Sequence, residues 1–350
     1  MKVLITGHDG YIGSVMVPIL QAAGHEIVGM DTFFFSNHYS KPINTGILEL
    51  HHDIRDFIPE GLDGFDAIIH LAALSNDPLS LINPELTFEI NHRASIRIAM
   101  LAKEAGVQRF LYASTCSVYG VANQQELATE ETPQNPLSPY AISKVRVETD
   151  LSAMADDTFS PIFLRNATAY GWSPNFRSDL VLNNLACWAY TTGEIRIMSD
   201  GTPWRPIVHV RDIANAFAAV LVAPREAIHN QPFNVGINEE NYQVRNLAAI
   251  VQEDFPDCKV TYDEHGGPDP RSYRVDFSKI MRSLPEFKPV WNAHRGVKEL
   301  HAAYKEVGLT REDFTGPKYV RLAKLKSLLQ DGQLDSYLRW KDRAIFPIPK

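Results

Sequence analysis

A doubly wound parallel α/β sheet is the fold class this sequence predicts, with a smaller α/β substrate-binding part on its C-terminal side. Three observations carry the expectation. Short apolar runs alternate with helical stretches through the first half, a glycine-rich turn joins the first run to the first helix, and an aspartate closes the second run. Such alternation implies parallel strands joined by right-handed crossovers.

The strands read in order as "KVLIT" (2–6), "EIVGMD" (26–31), "GILELHHD" (46–53), "DAIIHLAA" (66–73), "RFLYAS" (109–114) and "SPIFLRN" (160–166), each an apolar run with polar flanks. Helical stretches lie between most of them, notably 11–23, 86–105 and 139–155. Beyond about residue 170 the order loosens, and "WSPNFRSD", "SDGTPWRP" and "EHGGPDPR" read as loops around a part that receives a substrate. We therefore expect a nucleotide-binding domain over 1–170, with a segment near 206–222 returning to it. The substrate-binding part should span 171–310, and 311–350 forms an extension of unknown role.

Composition bounds the function. The 350 residues are 45% apolar and 22% charged, enough for a sizeable core, and the net charge of −8 argues against a nucleic-acid partner, which needs clustered Lys and Arg. Cys116, Cys187 and Cys258 have neither zinc-site spacing nor the density of a secreted scaffold, so a reducing compartment is the default. No apolar run approaches the roughly 20 residues of a membrane span, and the chain opens directly on a strand without a cationic leader. We expect a complete cytoplasmic protein. His51 and His52 lack a second ligand pair and read as strand-end residues, so no metal site is expected, while His8 and Asp9 read as turn polarity.

The turn "ITGHDGYIGS" places Gly7, Gly10 and Gly13 at three-residue spacing between strand and helix. Glycine serves where the backbone must turn tightly and approach a pyrophosphate, whose charge then meets the helix N-terminus. Asp31 closes the second strand 18 residues after Gly13, where a carboxylate accepts hydrogen bonds from the adenosine ribose and repels a 2′-phosphate. No arginine follows in "DTFFFSNHYS", which favours NAD over NADP. In "PYAISKVRVE", Tyr140 and Lys144 stand four apart on one helix face. An ammonium beside a phenol favours the phenolate, so Lys144 is expected to lower the Tyr140 pKa and make a base able to take a sugar hydroxyl proton. "YASTCSVYG" delivers the hydroxyls of Ser114, Thr115 and Ser117 to the carboxyl edge of the sheet.

With "HLAALS", "LRNATAYG", "SDGTPWRPIVHVRDIANAF" and "FNVG" following in order, the chain resembles the extended short-chain dehydrogenase/reductases, in their nucleotide-sugar epimerase and dehydratase branch, over roughly residues 1–300. The resemblance implies a Rossmann domain holding NAD through Gly7, Gly10, Tyr11, Ile12, Gly13, Asp31, Asp53, Ile54, Leu71, Ala72, Ala73, Asn91, Ser114, Tyr140, Lys144 and Ala167. It implies substrate contacts from Ser75, Asn76, Thr115, Asn166, Thr168, Asn184, Arg205 and Arg271, the two arginines gripping the nucleotide diphosphate. Thr115, Tyr140 and Lys144 carry the catalysis by likeness. Tyr140 is the base, Thr115 bonds the sugar 4-hydroxyl and Lys144 holds the nicotinamide ribose. Asp77 faces the crevice by the same likeness.

Departures from the pattern are informative. Cys116 and Ser117 occupy the positions where 4,6-dehydratases carry an acidic pair, which counts against a dehydratase of that kind. Cys116 has two readings, a thiol that moves a proton on the sugar ring and a small apolar core residue. Thr168 replaces an asparagine, and Arg211 adds a charge to "RPIVHVRD". Residues 310–350 match nothing in the pattern and are expected to cap the substrate part or another subunit. The expected function is NAD-dependent modification of a nucleotide-activated sugar, by oxidation at C4 and return of the hydrogen, foremost an epimerase. A dehydratase, a decarboxylase, a 4-keto reductase and a non-catalytic dinucleotide-binding scaffold are the alternatives. A homodimer is implied through helices 86–105 and 139–155, whose apolar stripe includes Ile96, Met100 and Leu101.

Overall fold

The computed structural model describes residues 1–36, 46–58, 62–120, 126–263 and 272–341. Its centre is a seven-stranded sheet of β1 (Lys2–Thr6), β2 (Glu26–Asp31), β3 (Leu48–His51), β4 (Ala67–His70), β5 (Arg109–Thr115), Ser160–Asn166 and Gln231–Val235. The spatial order runs Gln231–Val235, Ser160–Asn166, β5, β4, β1, β2, β3, and every pairing is parallel. Strand order therefore reverses between β1 and β4, and the crevice beyond their carboxyl ends is where ligands of such sheets bind.

Alternation along each strand separates two cores. Val3, Ile5, Ala67, Ile69, Leu111 and Ala113 face one side, where Met16, Val17 and Leu20 of α1 (Gly13–Ala22) meet Ile213 and Phe217 of the Val210–Val222 helix. Leu4, Ile68, Phe110 and Tyr112 face the other, against Ile98 and Ala102 of Ala94–Glu104 and Val147 and Leu151 of Pro139–Met154. Burying both faces needs the near-continuous apolar strands that the sequence shows.

A third core gathers the helices Val181–Thr192, Val244–Asp254 and Ala293–Val307 around Leu185, Val251 and Tyr304. Beside it, Thr168–Tyr170, Trp204–His209 and Asn241–Gln243 form a small sheet. The expectation that the C-terminal extension caps the substrate part or another subunit is only partly met. Phe314 and Tyr319 pack in the third core, but Leu325, Leu328, Leu334 and Leu338 cross to the second face of the main sheet, beside Phe34, Ile54 and Phe57.

The helix expected at 86–105 is also not uniform. Pro84–Phe88 and Ala94–Glu104 are joined by a π-helical turn, Glu89–Arg93. One extra residue in that turn re-aims the side chain of Asn91, a frequent device near functional sites.

Candidate active site

A cleft of about 460 Å³ follows the carboxyl edge of the sheet from Asp53 at one end to Thr115, Tyr140 and Tyr273 at the other. Its floor begins with the glycine turn. Gly7 has φ of 75°, and a Cβ there would stand 2.8 Å from the Ala72 nitrogen, so the turns after β1 and β4 touch only because this residue is glycine. A Cβ on Gly13 would lie 2.4 Å from the carbonyl oxygens of Gly7 and His8, which lets α1 start directly under the turn. Tyr11 anchors the same turn to the third core through its hydroxyl, which donates to the Gly171 carbonyl at 2.7 Å.

At the β2 edge, the Asp31 carboxylate accepts from Phe33 N at 2.9 Å and Asp9 N at 3.2 Å, which fixes its orientation at the cleft wall. Asp53 caps the short turn Ile54–Asp56. Burial opposes the charge on Asp53, but Arg55, with an N–O distance of 2.6 Å, holds its carboxyl below the usual range. Asn91 does not line the cleft. Its Oδ1 accepts from Leu74 N at 2.8 Å and its amide donates to Leu74 O at 3.1 Å, so it fixes the turn that carries Leu71, Ala72 and Ala73.

At the other end, Ser138 caps the Pro139–Met154 helix by accepting from Ala141 N at 3.2 Å, and Tyr140 sits in its first turn. The helix N-terminus favours a developing phenolate there. Tyr140 and Thr115 line the same cleft, and the Thr115 hydroxyl oxygen accepts from Ser117 N at 3.1 Å. Lys144, one helical turn on, donates to the Ala113 carbonyl at 2.7 Å, with its ammonium 4.6 Å from the Tyr112 ring centre and 5.8 Å from that of Tyr140.

The pKa expectation for this pair is corrected. Burial pushes Tyr140 up to about 12, with the nearby Thr115 hydroxyl opposing, and burial pulls Lys144 down to about 7 against the pull of Glu148. Enclosure outweighs the neighbouring charge because both groups leave water together. Beneath them His70 is buried between Thr6 Oγ1 at 2.7 Å and Ser95 Oγ at 2.8 Å, and burial drives its pKa down to about 3, so the imidazole is neutral.

The other expected residues divide clearly. Gly7, Gly10, Tyr11, Ile12, Gly13, Asp31, Asp53, Ile54, Ser75, Asn76, Ser114, Asn166, Ala167, Thr168 and Arg205 all line the cleft. Asn166 donates to Ser114 O at 3.3 Å while its Oδ1 is buried without a partner among the described residues, an acceptor that a bound ligand can satisfy. Asn184 is held away from the cleft wall, its amide donating to Ser178 O at 2.9 Å. Cys116 is turned into the first core with its thiol on the Arg165 carbonyl, and burial pushes its pKa well up, which favours the apolar reading of this thiol. Arg271 lies outside the described residues.

Several cleft residues escaped the sequence reading. Arg177 and Asp179 pair at 2.7 Å, and they hold Ser75 at 3.2 Å and Asn76 at 2.7 Å. Tyr273 stands 3.5 Å from the Ser117 hydroxyl, and Arg321 arrives from the extension. The signal for the first pair was a charged Arg-x-Asp inside a stretch read as plain loop.

A sequence profile of the NAD dependent epimerase/dehydratase family matches residues 3–236. The chain belongs to this family. A UDP-glucose 4-epimerase of Mycolicibacterium smegmatis is 32% identical over 262 residues, covering 72% of this chain and 82% of the relative. An uncharacterized UDP-glucose epimerase of Bacillus subtilis is 28% identical over 298 residues, covering 81% and 92%. Among solved structures, MoeE5 in complex with UDP-glucuronic acid and NAD superimposes with a TM-score of 0.76 at 27% identity, over 88% of this chain and all of that one.

The residues of this family member fit NAD. The glycine turn leads directly into α1, Asp31 lines the cleft at the end of β2, and the buried Asn166 acceptor has no partner among the described residues. For the Asp31 carboxylate we expect calorimetry to show NAD binding at least about tenfold more tightly than NADP, the cost of a phosphate against a fixed carboxylate. Asp31→Ala should narrow that gap, and equal affinities in the unaltered protein would contradict the assignment.

Proposed function

We propose that the protein is a nucleotide-sugar 4-epimerase. Tyr140 takes the proton of the sugar 4-hydroxyl, Thr115 orients that hydroxyl, and Lys144 supports the cofactor ribose and the charge of the phenolate. Bound NAD supplies the two-electron acceptor and donor for the sugar carbon. Arg205 and Arg271 serve the nucleotide diphosphate, a task suited to bidentate guanidinium groups. The observation that carries the reading is that Thr115, Tyr140 and Lys144 line the same cleft as the glycine turn and Asp31.

Epimerisation is favoured over 4,6-elimination by the two residues after Thr115. The 4,6-dehydratases carry an acidic pair there, whereas Cys116 is buried in the core and Ser117 offers only a hydroxyl. The similarity to the UDP-glucose 4-epimerase of M. smegmatis supports the same choice. The test is incubation with UDP-, GDP-, CDP- and dTDP-sugars, following product mass and NAD absorbance. The account expects a C4 epimer of unchanged mass with no net NAD reduction. Loss of water, loss of carbon dioxide or net reduction of a 4-keto sugar identifies a dehydratase, decarboxylase or reductase instead.

We further propose a homodimer through Ala94–Glu104 and Pro139–Met154. Ile96 and Leu101 pack partly against their own sheet, but Met100 remains 51% exposed. Light scattering at micromolar concentration should report twice the chain mass, and a monomer would overturn the assignment. The described residues contain no helix long and apolar enough to cross a membrane. Three unpaired buried thiols suit the cytoplasm as the site of action, which cell fractionation tests.

A further inference from the structure

The segment from Arg321 to Lys341 fastens onto the adenosine end of the cleft at separate points. The Trp340 indole N–H donates to Thr32 O at 2.8 Å, in the loop that follows Asp31. Arg55, the partner of Asp53, donates to the carbonyls of Tyr337 at 2.8 Å and Leu338 at 3.1 Å. Arg339 reaches Asp53 itself at 3.4 Å. The same stretch is thus bonded to both loops that carry the expected adenosine contacts.

Arg321 goes further and enters the cleft wall. It is 6% exposed, lies with its guanidinium 4.4 Å from the Phe35 ring centre, and donates to the carbonyls of Phe35 at 3.1 Å and Asn175 at 2.9 Å. Asn175 in turn donates to the Asp9 carboxylate at 2.9 Å, so Arg321 stands one hydrogen-bonded residue from the glycine turn. Among the described residues its hydrogen bonds end on carbonyls rather than on a carboxylate. A guanidinium taken out of water this far is costly unless an anion meets it. Burial and the neighbouring Arg177 pull its pKa down to about 9, although Asp179, Asp31 and Asp9 act against them.

We propose that Arg321 is a cofactor-binding residue that takes a pyrophosphate oxygen of NAD, and that Arg321–Lys341 clasps the adenosine half of the cofactor. The proposal rests on the NAD assignment but not on the sugar chemistry. Retention of the cofactor then depends on the Arg321–Lys341 segment, which lies beyond the residues matched by the family profile.

The experiment uses the full chain freed of nucleotide, with NAD, ADP-ribose and adenosine compared by competition calorimetry. Arg321→Met keeps the apolar stem on Phe35 and removes the charge. It should weaken NAD and ADP-ribose by about tenfold or more, the scale of a lost charge-assisted hydrogen bond, and leave adenosine within about twofold. Arg321→Lys should recover part of the loss. Unchanged NAD affinity, or an equal loss for all three ligands, overturns the phosphate contact. Hydrogen exchange on the unaltered protein tests the clasp without any substitution: amides of 321–341 should gain protection on adding NAD, and unchanged exchange there overturns it. Neither readout involves a sugar, so failure of the epimerase assignment would be seen separately.

Discussion

Tyr140→Phe is expected to lower turnover on the confirmed substrate by about a hundredfold or more, the range of a lost general base, with nucleotide-sugar affinity hardly changed. Only the phenolic oxygen is removed, and the ring keeps its packing. Burial holds the Tyr140 pKa near 12, so ionisation at neutral pH depends on what stabilises the phenolate. Thr115 and the helix N-terminus supply part of that stabilisation, and the Lys144 ammonium supplies charge. Lys144→Met should therefore move the activity optimum to higher pH and weaken NAD binding. Thr115→Val should lower turnover and also move the optimum to higher pH, because it disturbs orientation of the substrate and removes a hydroxyl that helps hold the Tyr140 pKa down. Near-normal turnover by Tyr140→Phe would remove the phenolate from the mechanism.

Glu148→Ala is expected to cost about 3–5 kcal/mol of stability, read by urea unfolding, because it strands a buried cation. Arg165 and Glu148 are 6% and 7% exposed as side chains and meet at 2.7 Å and 3.1 Å, with Gln134 donating to the same carboxylate at 2.9 Å and the Ser114 hydroxyl bonded to it as well. The Arg165 guanidinium also donates to the Tyr119 hydroxyl at 3.1 Å. Glu148 lies one turn beyond Lys144 on the same helix and favours its charged form, and its pairing with Arg165 links the Ser160–Asn166 strand to the catalytic helix. Glu148→Gln keeps most hydrogen bonds and should cost less. A loss below about 1 kcal/mol for Glu148→Ala would show that the carboxylate is not what holds Arg165 in place.

Much of this arrangement is legible in the sequence, for identifiable reasons. β1, β2 and the catalytic helix have boundaries set by strong local signals: an apolar run ending in Gly7, a second ending in Asp31, and Ser138-Pro139 opening a helix. The i, i+4 spacing alone places Tyr140 and Lys144 on one face. Local signals do not reveal the π turn at Glu89–Arg93, since a helical period of 3.6 assumes no extra residue, and Asn91 consequently acts on the Leu71–Leu74 turn rather than on the ligand. Cys116 adjoins Thr115 in sequence, but the short turn after β5 sends Thr115 and Ser117 to the cleft and Cys116 to the core. Arg177, Tyr273 and Arg321 reach the cleft from loops and from the far end of the chain, where no periodicity marks them. The pKa of Tyr140 followed enclosure, a tertiary effect that outweighs the charge four residues away.

The central claim is that the C4–H bond of a nucleotide hexose is broken and re-formed within one closed site. It is tested most directly with a UDP-hexose deuterated at C4, or with the corresponding label on whichever nucleotide sugar is converted. Mass spectrometry and NMR of the product should find the deuterium still at C4 of the inverted sugar, with none lost to water. Deuterium released to solvent, or a product unchanged in configuration at C4, would contradict the account.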